Sequence, residues 1–388
     1  VALVSAQAGV SAAVPGADTV TPVVGVPGNI KAPDLNHDGW PDVVVAEFGT
    51  DLVAVRLNDG SGSLGPVRRY PVGVKPSFIT AGDFNGDGNV DLAVSDAGSA
   101  AVSVLLGNGD GTLRDARQYP ISGPSAGVAG ISTGSFSLEA ADVTGHGRLD
   151  IVTSNSVSND VSVLPGNGDG TFGPAATYPI AGPASRGVIP FALSLGDFDG
   201  DGDQDAVSGG AESVTILRND GHGRYLAVAS HFVGFDIACT KVGDINEDGK
   251  PDIVATGTGT LNARVLLGNG DGTFRPGDNL FARGFGSQCF SLGDVDADGH
   301  LDLTIVNSSS QHGVGNVAVL LGDGRGHFHG DLISSTYPVN GGPWATDLAD
   351  FNGDGVLDIA VCNSLPASVS VLFGRGDGTF RPQVSYIM

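Results

Sequence analysis

Glutamate is almost missing from this chain. Of its 43 acidic residues only Glu47, Glu139, Glu212 and Glu247 are glutamates, leaving 39 aspartates. Glutamate favours helices, whereas aspartate beside glycine favours turns and oxygen-rich loops, so a protein of long helices is not expected. Basic residues are scarce as well, 19 in 388, and the formal net charge is −24. That balance argues against nucleic acid, which calls for a basic footprint. The three cysteines, Cys239, Cys289 and Cys362, are too few for a disulfide framework and fit no zinc spacing. No run approaches the ~18–20 apolar residues of a membrane span. What is abundant is glycine, 62 residues, and short Val/Leu/Ile runs within a 40% hydrophobic content. Such a chain can bury a core and is not disordered.

One unit recurs seven times. An aspartate-rich nonapeptide reads DLNHDGWPD (34–42), DFNGDGNVD (83–91), DVTGHGRLD (142–150), DFDGDGDQD (197–205), DINEDGKPD (244–252), DVDADGHLD (294–302) and DFNGDGVLD (350–358). The spacing of 47 to 59 residues, filled with short alternating segments, indicates propeller blades rather than helical solenoids. Each unit offers four strand-like segments. A second repeated motif, NGDGTL (108–113), NGDGTF (167–172 and 269–274) and RGDGTF (375–380), falls between the last two. Its Asn-Gly and Asp-Gly steps supply the positive φ of a tight hairpin, and a second metal site there is the alternative. The expected fold is all-β: a single seven-bladed β-propeller over 21–388, four antiparallel strands per blade. Its last blade comes entirely from C-terminal sequence, and residues 1–20 form a tail or an added outer strand. Ala6-Gln7-Ala8 also fits the small-x-small pattern of a secretory cleavage site.

The nonapeptide has the chemistry of a calcium loop. Positions 1, 3, 5 and 9 carry side-chain oxygens, position 7 offers a backbone carbonyl, and Gly at position 6 permits the sharp turn around one point. Six loops keep that pattern: Asp34, Asn36, Asp38, Trp40 and Asp42; Asp83, Asn85, Asp87, Asn89 and Asp91; Asp197, Asp199, Asp201, Asp203 and Asp205; Asp244, Asn246, Asp248, Lys250 and Asp252; Asp294, Asp296, Asp298, His300 and Asp302; Asp350, Asn352, Asp354, Val356 and Asp358. In the third loop Thr144 and His146 replace positions 3 and 5, so an empty or weak site is expected over 142–150. About six Ca2+ ions are thus anticipated, within strand-flanked loops and not the helix-flanked loop of an EF-hand. The side chains of His37 and His300, at positions 4 and 7, are expected in solvent. The seven loops hold 24 of the 43 carboxylates, so much of the acidity reads as a metal inventory on one face.

GDFNGDGNVDLAV (82–94), GDFDGDGDQDAV (196–207) and ADFNGDGVLDIAV (349–361) resemble the FG-GAP/VCBS repeats of secreted bacterial proteins. Those repeats are similar to the calcium-bearing blades of the integrin α-subunit propeller and to fungal and bacterial propeller lectins. The resemblance spans roughly 21–388 and implies a seven-bladed propeller with calcium in the first hairpin of each blade. It further implies a secreted or extracellular location, and it leaves function open among lectins, adhesion modules and polysaccharide lyases.

Binding would reside in loops on the face opposite the calcium loops, where the repeats differ most. Trp344, Asn155, Asp160 and Gln288 are the ligand-binding candidates there, with a carbohydrate or a protein surface as partner. With only two tryptophans, one or two sugar sites near the centre are expected, not seven equal ones. Arg186, His231, Arg283 and His312 would be the residues of a polysaccharide lyase acting on an acidic glycan, although nothing in the sequence brings them together. No nucleophile elbow, H-E-x-x-H or phosphate loop is present. A structural or assembly subunit is the third reading. Cys239 and Cys289 precede their loops by the same five residues, and equivalent positions in neighbouring blades point the same way around the ring. A disulfide between them would require local distortion, so buried free thiols are expected.

Overall fold

A computed structural model describes residues 27–121, 135–156, 158–180, 192–257, 261–282, 287–308, 315–330 and 335–388. Seven antiparallel sheets follow one another along the chain. Blade one consists of Pro27–Lys31, Val43–Glu47, Leu52–Arg56 and Arg68–Pro71, and blade two of Pro76–Gly82, Asp91–Asp96, Ala101–Leu105 and Arg117–Pro120. Blade three is Ser135–Ala141, Asp150–Asn155, Asp160–Leu164 and Ala176–Pro179; blade four is Ala192–Gly196, Asp205–Gly209, Ser213–Asn219 and Tyr225–Phe232. Blade five runs through Ile237–Gly243, Asp252–Gly257, Leu261–Gly268 and Phe274–Ala282. Blade six has Ser287–Gly293, Asp302–Ser308 and Gly315–Gly322, with its outer edge split between Phe328–His329 and Thr336–Val339. Gly341–Ala349, Asp358–Leu365, Ala367–Leu372 and Val384–Ile387 complete blade seven from C-terminal sequence alone. No helix is long and apolar enough to cross a membrane among the described residues. The tail or extra strand expected at 1–20 lies outside them.

The two middle strands of each blade are the most buried, because their Val, Ile, Leu and Ala side chains meet a neighbouring sheet on both faces. Val43–Glu47, Asp91–Asp96 and Asp150–Asn155 are buried at every position. The blades pack as a closed ring, which removes the open edges of so large a sheet. At the seam between blades seven and one, the Ala32 amide donates to Asp347 (2.9 Å), Asn58 Nδ2 to the Phe351 carbonyl (2.8 Å) and the Tyr386 hydroxyl to the Gly62 carbonyl (2.8 Å). Inner strands are tied to one another by hydroxyls: Ser194 donates to the Thr240 carbonyl and Ser291 to the Thr346 carbonyl.

The repeated NGDG turns have a further role that the sequence did not reveal. Each is a hairpin turn in which the Asp carboxylate accepts from the amide and hydroxyl of the Thr two residues on, as Asp110 does from Thr112. The same turn then clamps the preceding blade. Gly111 N–H donates to the Leu35 carbonyl, Gly170 to Phe84 and Gly272 to Phe198 (3.1, 3.0 and 2.8 Å), in each case position 2 of the preceding aspartate loop. The aromatic ring ending the turn follows: Phe172 meets Phe84, and Phe274 meets Phe198, edge-on at 5.5 and 5.4 Å.

All three cysteines are free and buried. Cys239 and Cys289 stay unbonded to each other, as expected of equivalent positions in neighbouring blades, and share one buried cluster with Cys362. Burial pushes the Cys362 thiol up to about 12.

Candidate functional site

The aspartate loops are built on their own backbone amides. In blade two, Asp83 Oδ1 accepts from the Gly86 amide (2.7 Å) and Oδ2 from Gly88 (2.9 Å), Asn85 Oδ1 accepts from Asp87 (2.8 Å), and Asp87 Oδ1 accepts from Asn89 (2.9 Å). Carboxylate and amide oxygens at positions 1, 3 and 5 are thereby turned inward. Gly at position 6 is required by conformation, not by space: in Gly88 φ is +82°, and an added Cβ would meet nothing. The left-handed backbone alone disfavours any other residue.

Position 9 does a second job. Asp91 Oδ2 accepts from the Phe84 amide and Oδ1 from Gly107 (2.9 and 2.7 Å), stapling the loop to the end of the third strand. Asp42 does the same with Leu35 and Asn58, and Asp358 with Phe351 and Gly374. Burial pushes the carboxyl groups of Asp42, Asp205, Asp302 and Asp358 up to about 6, against the lowering effect of these amides. A cation beside them would favour the ionised form.

A calcium ion needs several hard oxygens converging on one point. In blade four the oxygens of Asp197, Asp199 and Asp205 lie within 4.8 Å of one another, and those of Asp294, Asp296 and Asp302 do so in blade six. These are positions 1, 3 and 9 of the two intact loops with Asp at position 3. Loops one, two, five and seven carry Asn there, a neutral oxygen donor. The donor set fits a hard divalent cation. Loop three has spent its oxygens internally: Thr144 Oγ1 donates to Asp150 (2.7 Å), and His146 Nδ1 lies 2.7 Å from Thr144 Oγ1.

His37 at position 4 is exposed, as expected, and His300 at position 7 is half-buried. They join neighbouring loops. His37 Nε2 lies 3.0 Å from Asn89 Oδ1, and His300 hydrogen-bonds to Glu247. Trp40 lies against Gly60 of its own blade and Gly353 of loop seven, so closely that a Cβ on either would overlap its ring. The side chain of Lys250 likewise runs past Gly270, and that of Val356 past Gly374.

The residues proposed for the opposite face do not assemble into one site. Asn155 donates to Asp160 (2.5 Å) and Ser162 (2.7 Å) and is buried, so the pair is a hairpin brace. His231 is not in a loop: it lies on the outer strand of blade four, half-buried and edge-on to Phe274 at 5.6 Å, and burial lowers its pKa. Trp344 is exposed on the inner strand of blade seven. Arg186, Arg283 and His312 fall outside the described residues, as does the Gln288 side chain. At the ring centre all seven inner strands enclose a cavity of about 30 Å3, crossed by Lys241 and Glu139 at 4.0 Å. That volume holds a water and no sugar, so a sugar site near the centre would have to lie outside this cavity.

Larger clefts lie between blades on the aspartate-loop side. One of about 570 Å3 separates blades three and four. Tyr178 comes from blade three; Asp201, Asp203, Arg218, Asn219, Asp220, Arg224, Tyr225 and Leu226 come from blade four. Tyr178 and Tyr225 meet edge-on at 6.2 Å, the Tyr225 hydroxyl donates to the Gln204 carbonyl, and Leu226 is 69% exposed. A second cleft of about 370 Å3 lies between blades two and three, beside Asp83, Asp142 and Arg148.

A family profile described as FG-GAP-like repeat matches in six overlapping stretches, 34–94, 83–153, 142–208, 197–255, 244–305 and 294–361. No curated protein matches. Among solved structures, the chain is similar to an Agrocybe aegerita lectin described by its recognition of non-reducing terminal N-acetylglucosamine, with 24% identity, 92% of this chain and 93% of that chain covered, and a TM-score of 0.57. It is also similar to BBS1N in complex with ARL6DN (11%, 96% and 95%, 0.58) and to a putative 6-phosphogluconolactonase from Bacteroides uniformis (14%, 92% and 95%, 0.60). At these identities the likeness is one of fold.

Proposed function

The chain belongs to the FG-GAP-like repeat family, and from that premise we propose that it is a secreted, calcium-stabilised propeller that binds carbohydrate. Calcium is assigned to the six loops with oxygens at positions 1, 3, 5 and 9, and not to loop three. The observation that carries the binding reading is the cleft between blades three and four. It combines an apolar wall of Tyr178, Tyr225 and Leu226 with hydrogen-bonding groups from Arg224 and Asp220. Sugars present the matching pair of surfaces, an apolar ring face and a rim of hydroxyls. Recognition of N-acetylglucosamine by the similar lectin supports the class of ligand, not its identity. An extracytoplasmic location follows from the same reading, because shallow, exposed calcium loops suit the high calcium outside cells.

A glycan array probed in excess calcium tests this. A defined subset of glycans should be retained by the unaltered chain and lost by Tyr178→Ala and Arg224→Ala. Retention of no glycan, or retention indifferent to both substitutions, would overturn the assignment.

A further inference from the structure

Loop four carries five aspartates, the most of any loop, and by charge alone should hold calcium most tightly. It is also the loop with an arginine laid across it. Arg218 Nε lies 2.7 Å from Asp199 Oδ2, and its Nη2 lies 3.0 Å from Asp201 Oδ2. These are positions 3 and 5, two of the oxygens a calcium ion would take.

Comparison across the repeats shows that this contact is particular to blade four. The residue that follows Arg218 is Asn219, whose amide donates to the position-9 aspartate; the preceding residue in the other blades is Leu57, Leu106, Pro165, Leu267, Leu321 or Phe373. In most blades that side chain fills an apolar niche under the next blade's turn. A Cβ on Gly111 would strike Leu57 at 2.6 Å, one on Gly170 would meet Leu106 at 2.8 Å, and one on Gly378 would meet Leu321 at 2.9 Å. The equivalent Gly272 meets only Asp199, so Arg218 has left the niche for the carboxylates. Loop six, with the same acids at positions 1, 3 and 9, has Leu321 in that place.

We propose that Arg218 is a built-in counter-cation of loop four, competing with calcium for Asp199 and Asp201 and making the most acidic loop the weakest of the six. The inference rests on the calcium reading above. Asp199 and Asp201 stand side by side, and a fixed positive charge relieves their repulsion when no metal is present. The same charge opposes a divalent ion entering between them. Loop four therefore keeps its shape at low calcium and fills last.

The amides of Gly202 and Gly299, both at position 6, report the two loops separately in a calcium titration followed by 1H–15N NMR. In the unaltered chain Gly202 should respond at higher calcium than Gly299. In Arg218→Leu, which restores the residue of four other blades, the Gly202 midpoint should fall by on the order of tenfold while Gly299 is unmoved. Melting in excess EGTA should fall for the variant, since the uncompensated acids remain. A Gly202 midpoint at or below that of Gly299, or one that Arg218→Leu leaves in place, overturns the role of Arg218. If no loop glycine responds to calcium at all, the calcium reading fails and this inference with it.

Discussion

Asp96 shows how much one oxygen atom can matter at the end of a strand. It closes the second strand of blade two, fully buried, with Oδ2 accepting from the Ser103 hydroxyl (2.7 Å) and Oδ1 without a partner. Burial pushes its carboxyl up from 3.8 to about 7, opposed by the Ser103 hydroxyl and the Gly73 amide. Because the folded value is raised, the native state holds a proton that the unfolded state has lost. This contribution is fully present below about pH 4, declines between pH 4 and 7, and is gone above. Blades three and seven have Asn at the same place, where Asn155 donates to Ser162 and Asn363 to Ser370. Asp96→Asn should therefore stabilise the protein by about 2 kcal/mol at pH 8 and change little near pH 4. Urea unfolding of both forms across that range, in saturating calcium, gives the difference. Parallel stability curves would show that Asp96 is ionised without penalty.

At the scale of the hairpin, the nonapeptide has two functions that its sequence superimposes. Positions 1, 3 and 5 aim oxygens inward, while position 9 staples the loop to the third strand. Loop three separates them, since it has lost the donors at 3 and 5 but keeps Asp150, which accepts from the amides of Val143, Thr144 and Gly166. Asp150→Ala strands these buried donors and should cost about 3 kcal/mol, equally in calcium and in EGTA. Asp205→Ala should cost as much in EGTA and more in calcium, because it would also remove one of the oxygens assigned to calcium. Equal losses for the two variants in calcium would place the staple alone at position 9. The repeat and its oxygens were legible because both are local, spelled within nine residues. The clamp of each NGDG turn on the preceding blade was not, because it joins backbone groups about 75 residues apart in the case of Gly111 and Leu35. Nor was the pairing of Arg218 with Asp199, since an arginine on a strand announces no partner. His231 was misplaced for a related reason: a long outer strand, Tyr225–Phe232, runs where a loop had been expected.

Over the whole molecule, no strand is exchanged between the two ends of the ring among the described residues, and Asn58, Tyr386 and Asp347 join the seam with side-chain contacts. The loops lie on one side of that ring, and with six calcium ions the net charge would fall from −24 to about −12. In the absence of metal, neighbouring carboxylates on this side repel one another, and the native state alone holds them in place. Calcium should then act as a ligand of the folded ring, adding stability at every filled loop. The direct test is thermal unfolding of the purified chain in excess calcium and in excess EGTA. The melting temperature should be higher in calcium by on the order of 10 °C. Superimposable curves would contradict the assignment of the aspartate loops to calcium.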